Sequence, residues 1–162
     1  MLKWGSTPDL YFERQSHGSY HCQVHAINNT FGACIVTPES LENFINIQHR
    51  NDPSLGWLYA YEPGVGFSDN APGQWLLSNN LHQTEVVTFG HSMGRDIYAS
   101  LNLHAQQKGC DAFLCRSHHH VFAIKKHEGI WFLLDSLKIK PDSLSSTGDP
   151  LSPLHCIQAF LH

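Results

Sequence analysis

The sequence predicts an α+β fold in which helices near the amino end pack against an antiparallel sheet formed later in the chain. Amphipathic helical patterns cover most of residues 22–49, whereas residues 119–137 contain two apolar runs separated by a short Gly-containing loop. The first pattern is typical of surface helices and the second of a β-hairpin. With 162 residues, 41% hydrophobic and 15% charged, the chain is suited to one hydrophobic core. We therefore expect a single domain over residues 1–162.

Composition and charge exclude several functional classes. A net charge of -4 does not favour nucleic-acid binding. No apolar run approaches the roughly 20 residues that span a bilayer, and the amino end lacks the apolar core of a secretory signal. The five cysteines lack the spacing of a disulfide framework, which indicates reduced thiols in a cytosol-like compartment.

The first predicted helix opens at Cys22 and ends near Gly32, a natural C-cap. Val24, Ile27 and Phe31 recur at the spacing of an apolar helical stripe. A cysteine at a helix N-terminus meets the positive end of the helix dipole, which favours the nucleophilic thiolate. Cys22 is therefore a candidate for covalent catalysis, although a small buried cysteine is the more common role.

The remaining elements follow from caps, breakers and β-branched residues. Thr37 as N-cap and Pro38 at the first helical position predict a second helix that continues to about His49. Residues 51–73 are rich in Pro, Gly, Asn and Asp, which indicates a long surface segment. The later predictions are a helix at 74–81, a strand at 85–89, a helix at 96–107 closed by Gly109, a short strand at 112–115, a turn-like segment at 138–148 and a closing strand at 155–161.

The hairpin brings an imidazole close to a carboxylate. If residues 126–129 form its loop, Lys125 pairs with Ile130, and His120 lies opposite Asp135. Directly opposed residues of an antiparallel pair point to the same face, with Cβ atoms roughly 4.5–5.5 Å apart. The expected neighbourhood depends on this register, which a loop one residue shorter would change.

Cys22, His120 and Asp135 supply the three groups that a cysteine nucleophile needs. His120 would take the thiol proton, and Asp135 would hold the ring tautomer and favour the imidazolium. Attack on a carbonyl creates an oxyanion that needs donors. The backbone N–H of Cys22 is one candidate donor, and the side chain of Gln15 is another.

Three phrases of the sequence resemble a Josephin domain. They are YFERQ at 11–15, CQVHAINN at 22–29 and HVFAIKKHEGIWFLLDSL at 120–137. That family opens with an aromatic-His/acidic-basic-Gln phrase, continues with Cys-Ala-x-His-x-x-Asn-Asn, and closes on phrases that hold its His and its Asp or Asn. The helix-then-strand segment QWLLSNNL and EVVTF matches the middle of the family more loosely.

The resemblance implies a papain-like cysteine protease that cleaves ubiquitin conjugates. It assigns Cys22 as nucleophile, His120 as general base and acid, Asp135 as the orienting residue and Gln15 as oxyanion donor. The expected partners are ubiquitin or ubiquitinated proteins, without nucleic acid or membrane, and the resemblance implies no cofactor or metal. We expect a monomeric cytoplasmic enzyme; for a viral or bacterial protein the compartment would be the host cytosol.

The sequence departs from the family pattern in two places. The gap between Gln15 and Cys22 is two residues longer than usual, and the middle of the chain is short and lacks the usual Gly-Asn-Tyr-Asp lead. Substrate-selecting surfaces tend to lie in that middle. A cysteine protease that cuts a polyprotein is therefore the alternative within the same chemistry.

A serine hydrolase is the sharpest rival interpretation. Residues 90–94, GHSMG, match the G-x-S-x-G elbow between a predicted strand and a predicted helix. Ser92, Asp135 and His155 follow the chain order of such enzymes. Few strand signals precede the elbow, however, whereas an α/β-hydrolase sheet needs several βα units there. A tight strand-to-helix turn explains the same residues.

Two further alternatives are weaker. A structural zinc site could use Cys22 with His21 and His25, Cys110 with Cys115, or the run from His118 to His120, but these spacings are not those of zinc ribbons. A ubiquitin-binding module that has lost catalysis would be expected to lack one of the three catalytic side chains, and all three are present.

Overall fold

The structure is a computed structural model that describes residues 9–16, 19, 21–55, 61–62, 66–67, 71–79, 87–88, 97–117, 120–144 and 155–161. Its α-helices are α1 (Cys22–Phe31), α2 (Pro38–Asn51), α3 (Ala71–Ser78) and α4 (Ile97–Lys108), with a 3-10 turn at Pro53–Leu55. Its strands are β1 (Tyr61–Glu62), β2 (Gly66–Phe67), β3 (Val87–Thr88), β4 (Cys110–Ser117), β5 (His120–His127), β6 (Ile130–Leu134), β7 (Asp142–Leu144) and β8 (His155–Leu161).

The first helix has the limits that its sequence predicts. It begins at Cys22 and ends before Gly32, whose φ of 71° is left-handed and whose N–H donates to the Asn28 carbonyl. Glycine adopts this conformation without a side-chain penalty, so it closes the helix. At the same end, the Lys125 ammonium donates to the Thr30 carbonyl at 3.0 Å. This bond joins the carboxyl end of α1 to strand β5.

The second helix is fixed by a capping box. The Thr37 side chain accepts a hydrogen bond from the Ser40 backbone, and the Ser40 hydroxyl accepts one from the Thr37 backbone. Pro38 occupies the first helical position, as predicted, and the helix continues to Asn51. Leu41 and Ile45 are its buried residues and belong to a hydrophobic cluster shared with α1 and α3.

The later elements confirm the predicted types with shifted limits. Helix α3 begins three residues before the predicted start, at Ala71, and helix α4 ends at Lys108 before a left-handed Gly109. The predicted strand at 85–89 contains β3, although its other residues lie outside the described part of the chain. The segment predicted as turn-like contains the short strand β7.

Six strands form one antiparallel sheet in the order β3-β8-β4-β5-β6-β7. The predicted closing strand, His155–Leu161, therefore lies inside the sheet, between β3 and β4. Strands β1 and β2 form a separate two-stranded pair. Helices together with an antiparallel sheet confirm the α+β class.

The register predicted for the β5–β6 hairpin was wrong by two residues. Lys125 pairs with Phe132, and His127 pairs with Ile130, so the loop contains only Glu128 and Gly129. Both loop residues have positive φ, 50° and 80°, as in the type I′ turns that suit two-residue hairpins. Glycine makes the second position favourable, and the tighter turn lengthens both strands.

Helices cover both faces of the sheet. Val121 and Leu114 pack in one hydrophobic cluster with residues of α1, α2 and α3. Alternate residues of the same strands pack on the other face with Leu101 of α4. The amino-terminal segment adds Leu10 and Phe12 to the first face, against Ala123, Phe132 and Leu134. Burial on both faces explains the continuous apolar runs of β4, β5 and β6.

Among the residues described, no helix is long and apolar enough to cross a membrane.

Candidate functional site

Cys22 occupies the first position of α1. Its side chain is 6% exposed and belongs to the cluster that includes Val121, the neighbour of His120 in β5. The thiol donates to the Gln23 side-chain oxygen at 3.4 Å. Because the first N–H groups of a helix lack intrahelical partners, the backbone here presents donors beside the sulfur. The packing of α1 against β5 thus sets the position of the thiol.

His120 is the first residue of β5 and interacts with both Asp135 and Cys22. Its Nε2 lies 2.6 Å from Oδ1 of Asp135. A carboxylate accepts only, so Nε2 carries the hydrogen and donates it. The Cys22 side chain also raises the pKa of His120, through hydrogen bonding and charge, and Nδ1 is the ring nitrogen left to face it. The Phe122 ring stacks against the imidazole, with centroids 6.0 Å apart.

The register error did not separate His120 from Asp135. A shift of two residues preserves side-chain alternation, so Asp135 still points to the face that His120 uses. Continuing the observed register places Asp135 opposite Phe122, diagonal to His120, and diagonal neighbours remain within reach of long side chains. The predicted imidazole–carboxylate contact is therefore present with a different strand alignment.

The protonation of the pair follows from its surroundings. Burial by itself lowers the pKa of His120, but the hydrogen bonds and charges of Asp135 and Cys22 outweigh it and raise the pKa to about 9. Burial raises the pKa of Asp135, yet hydrogen bonds from His120 and the Leu137 backbone lower it below its usual value. The arrangement at neutral pH is an imidazolium beside an ionised carboxylate.

Gln15 is held at the edge of this site by two partners. Its Nε2 donates to the Ser19 carbonyl at 2.7 Å, and its Oε1 accepts from the Ser136 hydroxyl at 2.7 Å. Its backbone N–H donates to the Ser136 carbonyl at 2.9 Å. Ser136 directly follows Asp135 in the chain. The gap between Gln15 and Cys22 is two residues longer than is usual in the family. These contacts nevertheless hold Gln15 beside the turn that contains Asp135 and Ser136.

Glu13 connects the amino-terminal segment to α1. Its carboxylate accepts from Asn28 at 3.1 Å and from Tyr11, and it lies 2.8 Å from Nδ1 of His25. Its backbone N–H donates to the Asn29 side chain at 2.6 Å. Burial raises the pKa of Glu13, but the hydrogen bonds from His25, Tyr11 and Asn28 lower it overall. The His and Asn residues that follow Cys22 in the sequence thus anchor the segment that carries Gln15.

Sequence reasoning missed Glu13 and Ser136 as parts of the site. The sequence held a signal for Glu13, because the consecutive Asn28 and Asn29 are poor helix formers inside a predicted helix. In the structure these two residues are 1% and 0% exposed. Buried amides need partners from another segment. Ser136 carried no comparable signal, since a serine after a strand is ordinarily a turn residue.

The structure bears on one residue of the serine-hydrolase hypothesis. Ser92 lies outside the described residues, and only the backbone of His155 is described, at the start of β8. Asp135, the third member of the serine-hydrolase hypothesis, is hydrogen bonded to His120 instead.

The residues considered for zinc have other surroundings. His25 binds Glu13, and Cys110 and Cys115 are buried in the cluster on the α4 face. His118 and His119 fall outside the described part of the chain. Within that part, no group of three His, Cys, Asp or Glu side chains is placed to hold a metal ion.

The comparisons with known proteins bear on the carboxyl-terminal half of the site. A comparison with curated proteins finds no match. The profile of the Josephin family matches residues 75–155, half of the chain, and this range includes His120 and Asp135. That family is associated with cysteine-type deubiquitinase activity. The match includes the phrase at 120–137, and the chain belongs to the Josephin family.

Proposed function

We propose that this protein is a deubiquitinating cysteine protease with a papain-like arrangement, in which Cys22 attacks the carbonyl of the C-terminal glycine of ubiquitin. One observation carries the proposal. His120 lies 2.6 Å from Asp135 through Nε2, and the Cys22 side chain acts on the same ring and raises its pKa. A thiol, a base and an orienting carboxylate in contact form the constellation that activates a cysteine nucleophile.

The first half of the reaction forms an acyl-enzyme. The Cys22 thiolate adds to the carbonyl carbon, and the carbonyl oxygen becomes an oxyanion. The backbone N–H of Cys22 and the Gln15 amide are the donors proposed for that oxygen. The intermediate collapses when the C–N bond breaks, and the leaving amine takes a proton from the imidazolium of His120. A thioester between Cys22 and ubiquitin remains.

The second half releases the product. His120, now neutral, takes a proton from water, and the oxygen of that water attacks the thioester carbonyl. Cys22 leaves as thiolate, and His120 is again an imidazolium. Asp135 accepts a hydrogen bond from the same ring nitrogen throughout, which keeps the ring orientation constant while the proton is exchanged at the other nitrogen.

Two substitutions test the proposal on an isopeptide-linked ubiquitin substrate. Cys22→Ala and His120→Ala should each reduce turnover by more than about 10⁴-fold, because members of such a unit act together. Both should keep the circular dichroism of the parent protein, since Cys22→Ala removes a single sulfur atom from the core and His120 lies at the end of β5.

Matched controls come from the same residue types. Cys34 is exposed, and His49 lies on the exposed side of α2. Cys34→Ala and His49→Ala should retain full turnover, as should Ser92→Ala. Full activity of Cys22→Ala, or loss of activity in Ser92→Ala alone, would contradict the assignment. Activity on other peptides without activity on ubiquitin conjugates would keep the cysteine protease and replace its substrate.

A further inference from the structure

Ser136 is almost completely buried, at 1% exposure, and it is polar. A buried hydroxyl is expected to have a hydrogen-bond partner, and that partner identifies what the residue does. The Ser136 hydroxyl donates to Oε1 of Gln15 at 2.7 Å, across 121 positions of sequence. Its carbonyl also accepts the Gln15 backbone N–H at 2.9 Å. One serine thus holds both the backbone and the side chain of Gln15.

These contacts fix which way the amide of Gln15 points. The Ser19 carbonyl can only accept, so the atom 2.7 Å from it is Nε2. Oε1 then faces Ser136, whose hydroxyl donates to it. A flipped amide would place two acceptors against each other at Ser19. The hydrogen-bond network therefore fixes the orientation of the Gln15 amide.

The same network leaves one donor over. Nε2 carries two hydrogens, and one is used by the Ser19 carbonyl. The other makes no hydrogen bond to the residues that the structure describes, and it can be given to a developing oxyanion. Such a donor contributes most when it is already oriented before the reaction. A fixed orientation of the Gln15 amide should therefore increase the rate of acyl transfer, in addition to any contribution to stability.

We propose that Ser136 is a positioning residue that holds the Gln15 amide ready to donate to the oxyanion. The proposal rests on the proposed function, because it requires acyl transfer at Cys22. It assigns different roles to two adjacent residues. Asp135 orients His120, and Ser136 orients Gln15, so the turn after β6 positions both groups.

A double-substitution cycle tests this role with a ubiquitin substrate. Gln15→Ala should lower kcat by roughly 10²–10³-fold. Ser136→Ala should lower kcat by roughly three- to tenfold, the effect of one neutral hydrogen bond, with KM little changed. In the Gln15→Ala background, Ser136→Ala should cause no further loss, because there is no amide left to position. Multiplied losses in the double variant would overturn the proposal.

Two readouts separate positioning of Gln15 from an effect on the neighbouring Asp135. Ser136→Ala should leave the alkaline limb of the pH–rate profile and the alkylation rate of Cys22 by iodoacetamide unchanged, because both depend on His120. A shift in either would assign Ser136 to the Asp135 side of the site and contradict the proposal. Ser143→Ala, at an exposed position of β7, is the matched control. If Ser136→Ala does not fold, Ser136→Cys replaces it in the same double-substitution cycle, because a cysteine is nearly isosteric with serine and its thiol is a weaker donor.

A structural readout keeps this test independent of the substrate. The side-chain amide resonances of Gln15, assigned by their loss in Gln15→Ala, should move in Ser136→Ala and stay in place in Ser143→Ala. Unchanged resonances in Ser136→Ala would overturn the proposal whatever the enzyme cleaves. Wild-type protein that fails to turn over ubiquitin conjugates would instead contradict the proposed function, while the resonances still decide the positioning claim.

Discussion

At the scale of single residues, the environment of His120 sets the expected pH dependence of catalysis. In the proposed mechanism the imidazolium protonates the leaving amine, so activity should require a protonated ring. The pKa of His120 is raised to about 9. The fraction of protonated ring falls as the pH rises through that value, and activity should fall with it.

Asp135→Asn should move this alkaline limit to lower pH. The asparagine keeps an acceptor near Nε2 but removes the charge that favours the imidazolium, so the pKa of His120 should decrease. The measurement is kcat/KM against pH for both proteins, with the wild-type alkaline limb near pH 9. An unchanged limb in Asp135→Asn would show that the carboxylate does not set the protonation of His120.

The three main site residues could be predicted because each carried a local signal. Cys22 stood at a helix start, and the hairpin pattern put His120 and Asp135 on one face. His120 and Asp135 stay on one face because the register differs from the predicted one by an even number of residues, whereas an odd difference would put the two side chains on opposite faces. The contact between Gln15 and Ser136 could not be predicted, since no local pattern links segments so distant in sequence.

At the scale of elements, the amino-terminal segment depends on Glu13 for its place beside α1. The carboxylate satisfies hydrogen-bond donors from Tyr11, His25 and Asn28, and the adjacent Gln15 follows its position. The pKa of Glu13 is lowered in the folded protein, so its contribution to stability is present at neutral pH and decreases as the pH falls below the usual range of a carboxyl group.

Glu13→Ala should lower the free energy of unfolding by about 1.5–3 kcal/mol, the range for hydrogen bonds to a charged group. It should also lower kcat, because the segment that carries Gln15 loses its anchor. Chemical denaturation at pH 7 measures the first effect. Glu42→Ala, at an exposed position of α2, should change stability by no more than about 0.5 kcal/mol. Equal effects of the two variants would contradict the anchoring role.

Most helix limits could be predicted from caps, whereas strand limits and order could not. Thr37 and Gly32 act through their own backbone and nearest neighbours, so their sequence is sufficient. The hairpin loop was predicted too long because Glu128 adopts a positive φ that its residue type does not favour. The place of β8 between β3 and β4 depends on long-range pairing, which periodicity does not encode.

At the scale of the whole molecule, the two helical layers have different roles. The layer containing α1 carries the proposed nucleophile, whereas α4 packs on the opposite face of the sheet. Asn102 of α4 accepts from the Trp131 indole at 2.9 Å and from Lys126 at 3.2 Å. This amide joins α4 to the hairpin without touching the site. In the sequence, the continuous apolar runs of the central strands indicate that helices cover the second face of the sheet as well.

Asn102→Ala should lower stability by about 1–3 kcal/mol, because the fully buried Trp131 loses the acceptor for its N–H. Activity per folded molecule should be unchanged, since the side chain of Asn102 bonds to Trp131 and Lys126 and not to Cys22, His120 or Asp135. Thermal unfolding and turnover at a temperature well below the transition measure the two effects. Gln107→Ala, exposed on the same helix, is the control. A lower kcat in folded Asn102→Ala would mean that the far layer takes part in positioning the site.

The central claim is that Cys22 is the nucleophile of a ubiquitin-directed protease, and one labelling experiment tests it most directly. The protein is incubated with ubiquitin carrying a C-terminal electrophile, and the product is analysed by intact mass and peptide mapping. The account predicts one covalent adduct on Cys22, retained in Cys34→Ala and lost in Cys22→Ala. An adduct on another residue, or no ubiquitin adduct from protein whose Cys22 still reacts with a small electrophile, would contradict it.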